Sequence, residues 1–217
     1  MNSSVKEAFI DTMKRYPQLK VCAEDMLYAF KMIKDSYDND GKLLIAGNGG
    51  SAADSEHIAG ELMKRFKSKR PIDEDLKNKL TEIDKEIGEQ LSDSLEKPLY
   101  AVPLTSHVAL TTAYMNDVNA EGVFAQQLLG YGKKGDVFLA ISTSGNSKNI
   151  YYACVVAKAL GIKIVGLTGS KDSKLSGIAD VCIKVPETET YKIQELHLPV
   201  YHCLCLMLEN NYFGEDK

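Results

Sequence analysis

Apolar residues recur along this chain in two rhythms. Near the start, Val5, Phe9 and Met13 return every four residues, and Cys22, Met26, Phe30, Ile33 and Tyr37 continue the spacing beyond Pro17. That predicts two amphipathic helices, the first ended by the proline and the second closed by Asn39-Asp40-Gly41. Short apolar runs then take over at residues 43–46, 100–104, 136–141, 163–167 and 181–185. Helical spacing returns between them, from Ser51 to about Phe66, from Lys148 to Leu160, and last from about Tyr191 to Asn210. Buried strands alternating with helices predict an α/β fold, a three-layer, doubly wound parallel sheet of five strands covered on both faces. Ligands of such sheets sit beyond the carboxyl ends of the strands.

One stretch breaks the alternation. Between Pro71 and Pro98 the chain is mostly charged, yet Leu76, Leu80, Ile83, Ile87 and Leu91 keep helical spacing. The pattern predicts an amphipathic helical insertion, bent at Gly88, whose apolar stripe needs a partner in this subunit or another.

Length and composition narrow the picture. A chain of 217 residues favours one domain, spanning 1–217, with residues 1–40 as N-terminal helices. A net charge of -4 argues against a protein that works mainly on nucleic acid. The opening Met1-Asn2-Ser3-Ser4-Val5-Lys6-Glu7 has neither a basic segment nor an apolar run, and no stretch reaches the length of a membrane span, so a cytoplasmic location is expected. Five cysteines, at 22, 154, 182, 203 and 205, are scattered among apolar neighbours and read as buried thiols of a reducing compartment.

Candidate chemistry lies where the sheet reading places ligands. After the run ending at Ile141 comes Ser142-Thr143-Ser144-Gly145-Asn146-Ser147, and then a helix. A helix N-terminus behind a strand offers unpaired N–H groups and a partial positive charge, which suits a phosphate. With no lysine inside the loop the donors are neutral, which fits a phosphorylated metabolite better than a Walker-type nucleotide clamp. Gly47-Asn48-Gly49-Gly50-Ser51 occupies the equivalent place after Ala46; Ala52 stands where a dinucleotide fingerprint would need its third glycine. His57 and Glu61 are four apart and share a helix face. Such a pair suits a divalent metal, zinc especially, and equally a surface hydrogen bond. On the last helix Gln194 and His202 lie two turns apart while His197 faces elsewhere, and a kink is expected at Pro199 between them. Asn116-Asp117 reads as a turn or cap that could also accept sugar hydroxyls. His107 has no evident partner and reads as structural.

Taken in order, Gly47–Ser51, His57-x-x-x-Glu61, Asn116-Asp117, Ser142–Ser147 and Gln194-Glu195-Leu196-His197 through His202 resemble the sugar isomerase (SIS) domain family, and within it the phosphoheptose isomerases. The resemblance covers nearly all of the chain outside residues 71–98. It implies the flavodoxin-like SIS fold and an aldose–ketose isomerase that converts sedoheptulose 7-phosphate to D-glycero-D-manno-heptose 7-phosphate. It implies that Ser142, Thr143, Ser144 and Ser147 hold the phosphate, and that Asn48, Gly49, Gly50, Ser51, Asn116, Asp117, Glu61 and Gln194 contact the sugar. His57, Glu61, Gln194 and His202 would bind zinc, with Glu61 and His202 also moving protons. The family is usually a homotetramer with sites between subunits and its N-terminal helices in a bundle. The chain departs from the pattern at Gly60, where several heptose isomerases have Glu, at Tyr191, where the family often has Asp, and in the charged insertion. A non-enzymatic relative that binds the bacterial replication initiator shares features matching Gly47–Ala53 and His202–Cys205, so a regulatory protein, or an isomerase or sensor of another sugar phosphate, stands beside the isomerase as an alternative.

Overall fold

The computed structural model describes residues 1–214. Five parallel strands, β1 (Leu43–Ala46), β2 (Ala101–Pro103), β3 (Val137–Ile141), β4 (Lys163–Thr168) and β5 (Val181–Lys184), form one sheet in the order β2-β1-β3-β4-β5. The register sets Leu43 beside Ala101 on one side and beside Val137 on the other. Order and direction match the doubly wound prediction, with the topological switch between β1 and β3. β2 is an edge strand, which lets it carry Pro103 without losing a ladder bond that a central strand would need.

Each strand serves two cores because its side chains alternate. Leu43, Ile45, Val137, Leu139, Ile141 and Val165 face one layer, with the helices α1 (Ser3–Arg15), α2 (Ala23–Tyr37), α3 (Gly50–Met63) and α10 (Thr190–Phe213). Leu44, Ala46, Phe138, Ala140 and Ile164 face the other, under α7 (Val123–Tyr131) and α8 (Lys148–Ala159). The first two helices follow the expected stripes, and Pro17 opens a 3-10 turn between them. α10 runs through Pro199 as one element, longer than the sequence pattern suggested. All five cysteines are free; burial raises Cys22 and Cys203 to about 11 and Cys154 to about 12, so they remain protonated packing groups. Among the described residues no helix is long and apolar enough to cross a membrane.

The structure corrects two expectations. The insertion is a hairpin of two helices, α4 (Glu74–Ile83) and α5 (Lys85–Ser94), rather than one helix bent at Gly88. The break falls at Asp84, whose side chain accepts the Ile87 N–H and so starts a new helix. Gly88 serves instead as the close crossing, because a Cβ there would sit 2.5 Å from the Leu80 backbone. The apolar stripe is only partly covered: Ile83 and Ile87 remain exposed.

The second correction concerns α3, which ends at Met63 rather than about Phe66. The backbone beyond it is redirected by Glu209 of α10, whose carboxylate accepts the N–H groups of Phe66, Lys67 and Ser68 at 2.8, 2.8 and 3.1 Å. Arg70 completes the arrangement. Its guanidinium donates to Glu209 Oε1 at 2.8 and 3.0 Å and to the Leu62 and Glu61 carbonyls at 2.6 and 3.3 Å. Both side chains are wholly buried. Removing one member of such a pair leaves a buried charge and several orphaned N–H groups, at a cost of about 3–5 kcal/mol. Glu209→Gln is therefore expected to lower stability by that order in urea unfolding at fixed protein concentration. A loss under about 1 kcal/mol, typical of exposed pairs, would show the pair to be incidental.

Candidate active site

Two glycine- and serine-bearing loops flank the switch point. Residues 142–147 leave β3 and enter α8; residues 47–50 leave β1 and enter α3. Ser142 donates its N–H to the Leu167 carbonyl and the Thr143 carbonyl accepts from Gly169, so the first loop is held against the end of β4. Gly145 turns it with φ +65°, and a Cβ there would collide with Ser173 Oγ at 2.1 Å. Ser147 stands at the N-cap of α8 without capping it; its hydroxyl instead faces that of Ser142 at 3.1 Å. In the first turn of α8 the Ile150 N–H is taken by Asn149 Oδ1 at 2.9 Å, and the Lys148 and Asn149 N–H groups, with these hydroxyls, face the position an anion would take. Lys148, the next residue, reaches away to Glu121 at 3.0 Å, so the loop's own donors are neutral, as its sequence predicted. Ser142 is buried, Thr143 and Ser147 half-buried and Ser144 exposed. Thr143 and Ser144 open onto a depression of about 200 Å³ that also includes Lys171, Glu187 and Thr190.

The loops are tied together by a contact the sequence did not announce. Asn48 and Asn149 exchange both amide hydrogen bonds, each 2.9 Å, across the switch point. Gly49 and Gly50 start α3, with Ser51 buried behind them. Gly50 leaves room for Gln194 of α10, whose Nε2 lies 2.6 Å from where a Cβ would be.

Two turns along α3 and α10, side chains from both helices converge. His57 Nε2 lies 3.1 Å from Glu61 Oε1 and 3.5 Å from His202 Nε2. Phe66 packs on His202 with ring centroids 5.3 Å apart. Glu61 Oε2 also has Lys64 Nζ at 3.4 Å. Burial, then the nearby His57, lowers the pKa of His202, so it is a neutral imidazole near pH 7. His57 Nδ1 faces the Tyr201 hydroxyl at 3.1 Å, and that hydroxyl donates to Asp54 Oδ1 at 3.1 Å. Sequence reasoning passed over Tyr201 and Asp54. The available signal was spacing: Asp54, His57 and Glu61 fall at i, i+3 and i+7 on one helix face.

The remaining candidates lie apart. Gln194 contacts the start of α3 at Gly50, seven residues before His57, which is about 10 Å along the helix axis. Asn116 and Asp117 pair with each other at 2.8 Å on an exposed π-helical turn, Met115–Asn119, and no hydrogen bond among the described residues joins them to either loop or to His57. His107 stacks on Tyr131 at 5.0 Å. Among the described residues no three or more His, Cys, Asp or Glu stand as a formed metal cluster; His57, Glu61 and His202 are paired with one another instead.

Comparisons with known proteins bear on the family and the fold. Two family models, each described as SIS domain, match residues 99–207 and 9–92. The chain is 37% identical to phosphoheptose isomerase 2 of Campylobacter jejuni, over 99% of this chain and 96% of that one. It is 41% identical to the phosphoheptose isomerase of Aneurinibacillus thermoaerophilus, over 82% and 76%. Its fold is similar to that of phosphoheptose isomerase GmhA from Neisseria gonorrhoeae, with a TM-score of 0.72, 30% identity and coverage of 95% and 97%.

His197, between the two polar ends of α10, is wholly buried, and among the described residues neither ring nitrogen makes a full hydrogen bond. Burial lowers its pKa from 6.5 to about 4, against a raising contribution from the Thr168 backbone. The unfolded chain therefore binds a proton in that interval that the folded chain refuses, and stability falls as pH drops from 6.5 toward 4. The full loss is about 3 kcal/mol. His197→Leu is expected to flatten this part of a urea-unfolding pH profile; an unchanged slope would place the titration elsewhere.

Proposed function

The chain belongs to the SIS domain family, among its phosphoheptose isomerases, and from that membership we propose that it interconverts sedoheptulose 7-phosphate and D-glycero-D-manno-heptose 7-phosphate. The observation that carries the reading is the pairing of a neutral phosphate cradle on β3–α8 with a carboxylate–imidazole cluster on α3–α10. The cradle takes the phosphate through Ser142, Thr143, Ser144, Ser147 and the α8 N-terminus. Asn48, Gly49, Gly50 and Gln194 line the way along the sugar, with Ser51, expected to touch it, buried behind them.

The reaction moves a carbonyl from C2 to C1 through an enediol. One proton leaves C1, one returns to C2, and the hydroxyl proton is exchanged between the two oxygens. Glu61, largely shielded and held by His57, is the carboxylate that takes the C1 proton and returns it to C2. His202, neutral near pH 7, gives a proton to the C2 oxygen and accepts one from the C1 hydroxyl. Each such proton transfer contributes about 10²–10⁴ in rate.

We propose zinc as the cofactor, held by His57, Glu61, Gln194 and His202. The spacings of 3.1 and 3.5 Å among the first, second and fourth of these donors are close to the edge of a zinc tetrahedron, about 3.3 Å for bonds near 2.0 Å. Gln194 must turn from Gly50 to join them. Bound there, zinc would supply Lewis-acid stabilisation of the enediolate oxygens. The assembly we propose is a homotetramer with sites completed between subunits and the N-terminal helices bundled. Its support is the π-helical turn that bears Asn116 and Asp117, around which Val108, Leu110, Met115 and Val118 are exposed. A cytoplasmic setting fits the free thiols, of which Cys22, Cys154, Cys203 and Cys205 are buried and Cys182, expected buried, is half-buried on edge strand β5.

Glu61→Gln and His202→Gln are each expected to lower turnover of sedoheptulose 7-phosphate at least about 100-fold with unchanged circular dichroism. Ser142→Ala with Ser144→Ala should chiefly raise KM. Wild-type protein that is folded, carries zinc by metal analysis and is inert on this substrate would remove the reading. Sedimentation equilibrium should return four times the mass of the chain; a monomer at micromolar concentration would remove the assembly.

A further inference from the structure

Asn149 has no part in the isomerase reading, yet it holds a residue that does. Its carboxamide meets that of Asn48 across the switch point. Asn48 Nδ2 donates to Asn149 Oδ1 and Asn149 Nδ2 donates to Asn48 Oδ1, both at 2.9 Å. Two carboxamides can close such a pair with either of two assignments, both turned one way or both turned the other. One further bond removes the choice. Asn149 Oδ1 also accepts the N–H of Ile150 at 2.9 Å. A backbone N–H can only donate, so the atom facing it must be the oxygen. Ile150 is buried in the first turn of α8, where a helix leaves its N–H groups without an acceptor of its own. With Asn149 oriented by the backbone, Asn48 is oriented by Asn149. Turning Asn48 over would set oxygen against oxygen and N–H against N–H.

We propose that Asn149 is a positioning residue: anchored by the Ile150 N–H, it fixes the orientation of the Asn48 carboxamide, so that Asn48 presents one N–H and one oxygen lone pair to the sugar in a set order. The proposal rests on the isomerase reading, in which Asn48 contacts the sugar, and deepens it. A carboxamide carries two N–H groups and, on its oxygen, two lone pairs. The pair with Asn149 uses one of each. What remains on Asn48 is one donor and one acceptor, suited to two hydroxyls or to a hydroxyl and a carbonyl. The main chain supports the arrangement. The Asn48 carbonyl accepts the Ser51 N–H at 3.0 Å, which ties its backbone to the start of α3. Asn149 lies two residues beyond Ser147, on the helix whose first turn faces the phosphate. The amide pair therefore joins the sugar end of the site to the phosphate end and sets the spacing between them. Asn48 is exposed and Asn149 half-buried, so a ligand reaches the free edge of the first without displacing the second. Without its partner an exposed asparagine would sample several rotamers and lose that freedom only on binding.

The test is a double-mutant cycle on kcat/KM for sedoheptulose 7-phosphate, with Asn48→Ala, Asn149→Ala and the two combined. Each single change is expected to lower kcat/KM about 5- to 10-fold, the order of one hydrogen bond. The double variant should be no worse than Asn48→Ala alone, because Asn149 acts through Asn48. Inhibition by inorganic phosphate should stay within about 2-fold of wild type in Asn149→Ala, since the cradle keeps its own donors. Should that variant not fold, Asn149→Asp takes its place. Its carboxylate still accepts from Ile150 and suits a helix N-terminus, but it has no N–H for Asn48 Oδ1. The effect of the added charge appears equally in the Asn48→Ala background, so the cycle isolates the loss that passes through Asn48. A second readout needs no turnover. In ¹⁵N-asparagine-labelled protein the Asn48 side-chain signals, assigned by their loss in Asn48→Ala, should show one proton displaced by its bond to Asn149. They should return to free carboxamide positions in Asn149→Ala and shift in Asn149→Asp. Losses that multiply in the double variant, no loss in the single one, or phosphate inhibition weakened in Asn149→Ala as much as kcat/KM would overturn the proposal. If the amide signals move as stated but wild type is inert on the sugar phosphate, the isomerase reading fails and the orientation of Asn48 by Asn149 stands. If turnover is present and the signals do not move, the proposal alone fails.

Discussion

The site depends on the buried contact between Arg70 and Glu209. Glu209 lies two turns beyond His202 on α10, and Arg70 closes the carbonyls of Glu61 and Leu62 at the end of α3. The pair therefore fixes where α3 stops and which residues of α10 stand opposite it. With that end pinned, and Gly50 admitting Gln194 at the other, the two helices share one face, and His57 and Glu61 meet Tyr201 and His202. A buried ion pair is seldom a net source of stability compared with apolar packing. Its value here is specification. Glu209 has its two oxygens committed to three backbone N–H groups and to Arg70, and no alternative register of α10 satisfies them all.

Charge is divided between the two ends of the site. The β3–α8 loop itself offers hydroxyls and N–H dipoles, the adjacent Lys148 is engaged by Glu121, and Lys171 and Glu187 stand across the depression from Thr143 and Ser144. At the α3–α10 face the groups are ionisable. A phosphate needs only to be held, and preorganised hydroxyl and N–H donors do this without changing protonation state. The enediolate is transient, so its end of the site needs groups that change protonation state or bind a cation.

How much of this the sequence disclosed follows from the range of the interactions. The strands were legible because parallel strands buried on both faces become continuous apolar runs. His57 with Glu61, and the serine loop with α8, were legible because their geometry is local, set by i, i+4 spacing and by a strand-to-helix turn. The hairpin was misread as one helix because a single side chain, Asp84, starts α5 inside an unbroken apolar rhythm. Arg70 and Glu209 are 139 positions apart, and Tyr201 reaches Asp54 across 147. No periodicity reports such pairs. A charged residue near the end of an apolar helix, as Glu209 is, was the one trace the first of them left.

The position of Asn116 and Asp117 follows from the same division between local and distant constraints. Their turn lies in the long connection from edge strand β2 to α7, carries π-helical geometry, and is surrounded by exposed apolar side chains rather than by core. A π-turn is costly and is kept chiefly where its geometry is used. Among the described residues the two side chains hydrogen-bond only to each other. In the tetramer we propose, the apolar residues beside them would be covered by a second copy, and the amide and carboxylate would complete a neighbouring cradle. The same argument applies to the apolar edge of the α4–α5 hairpin at Ile83 and Ile87, which its own charged faces isolate from the domain core. Burying those two side chains would contribute about 1.5–3 kcal/mol each.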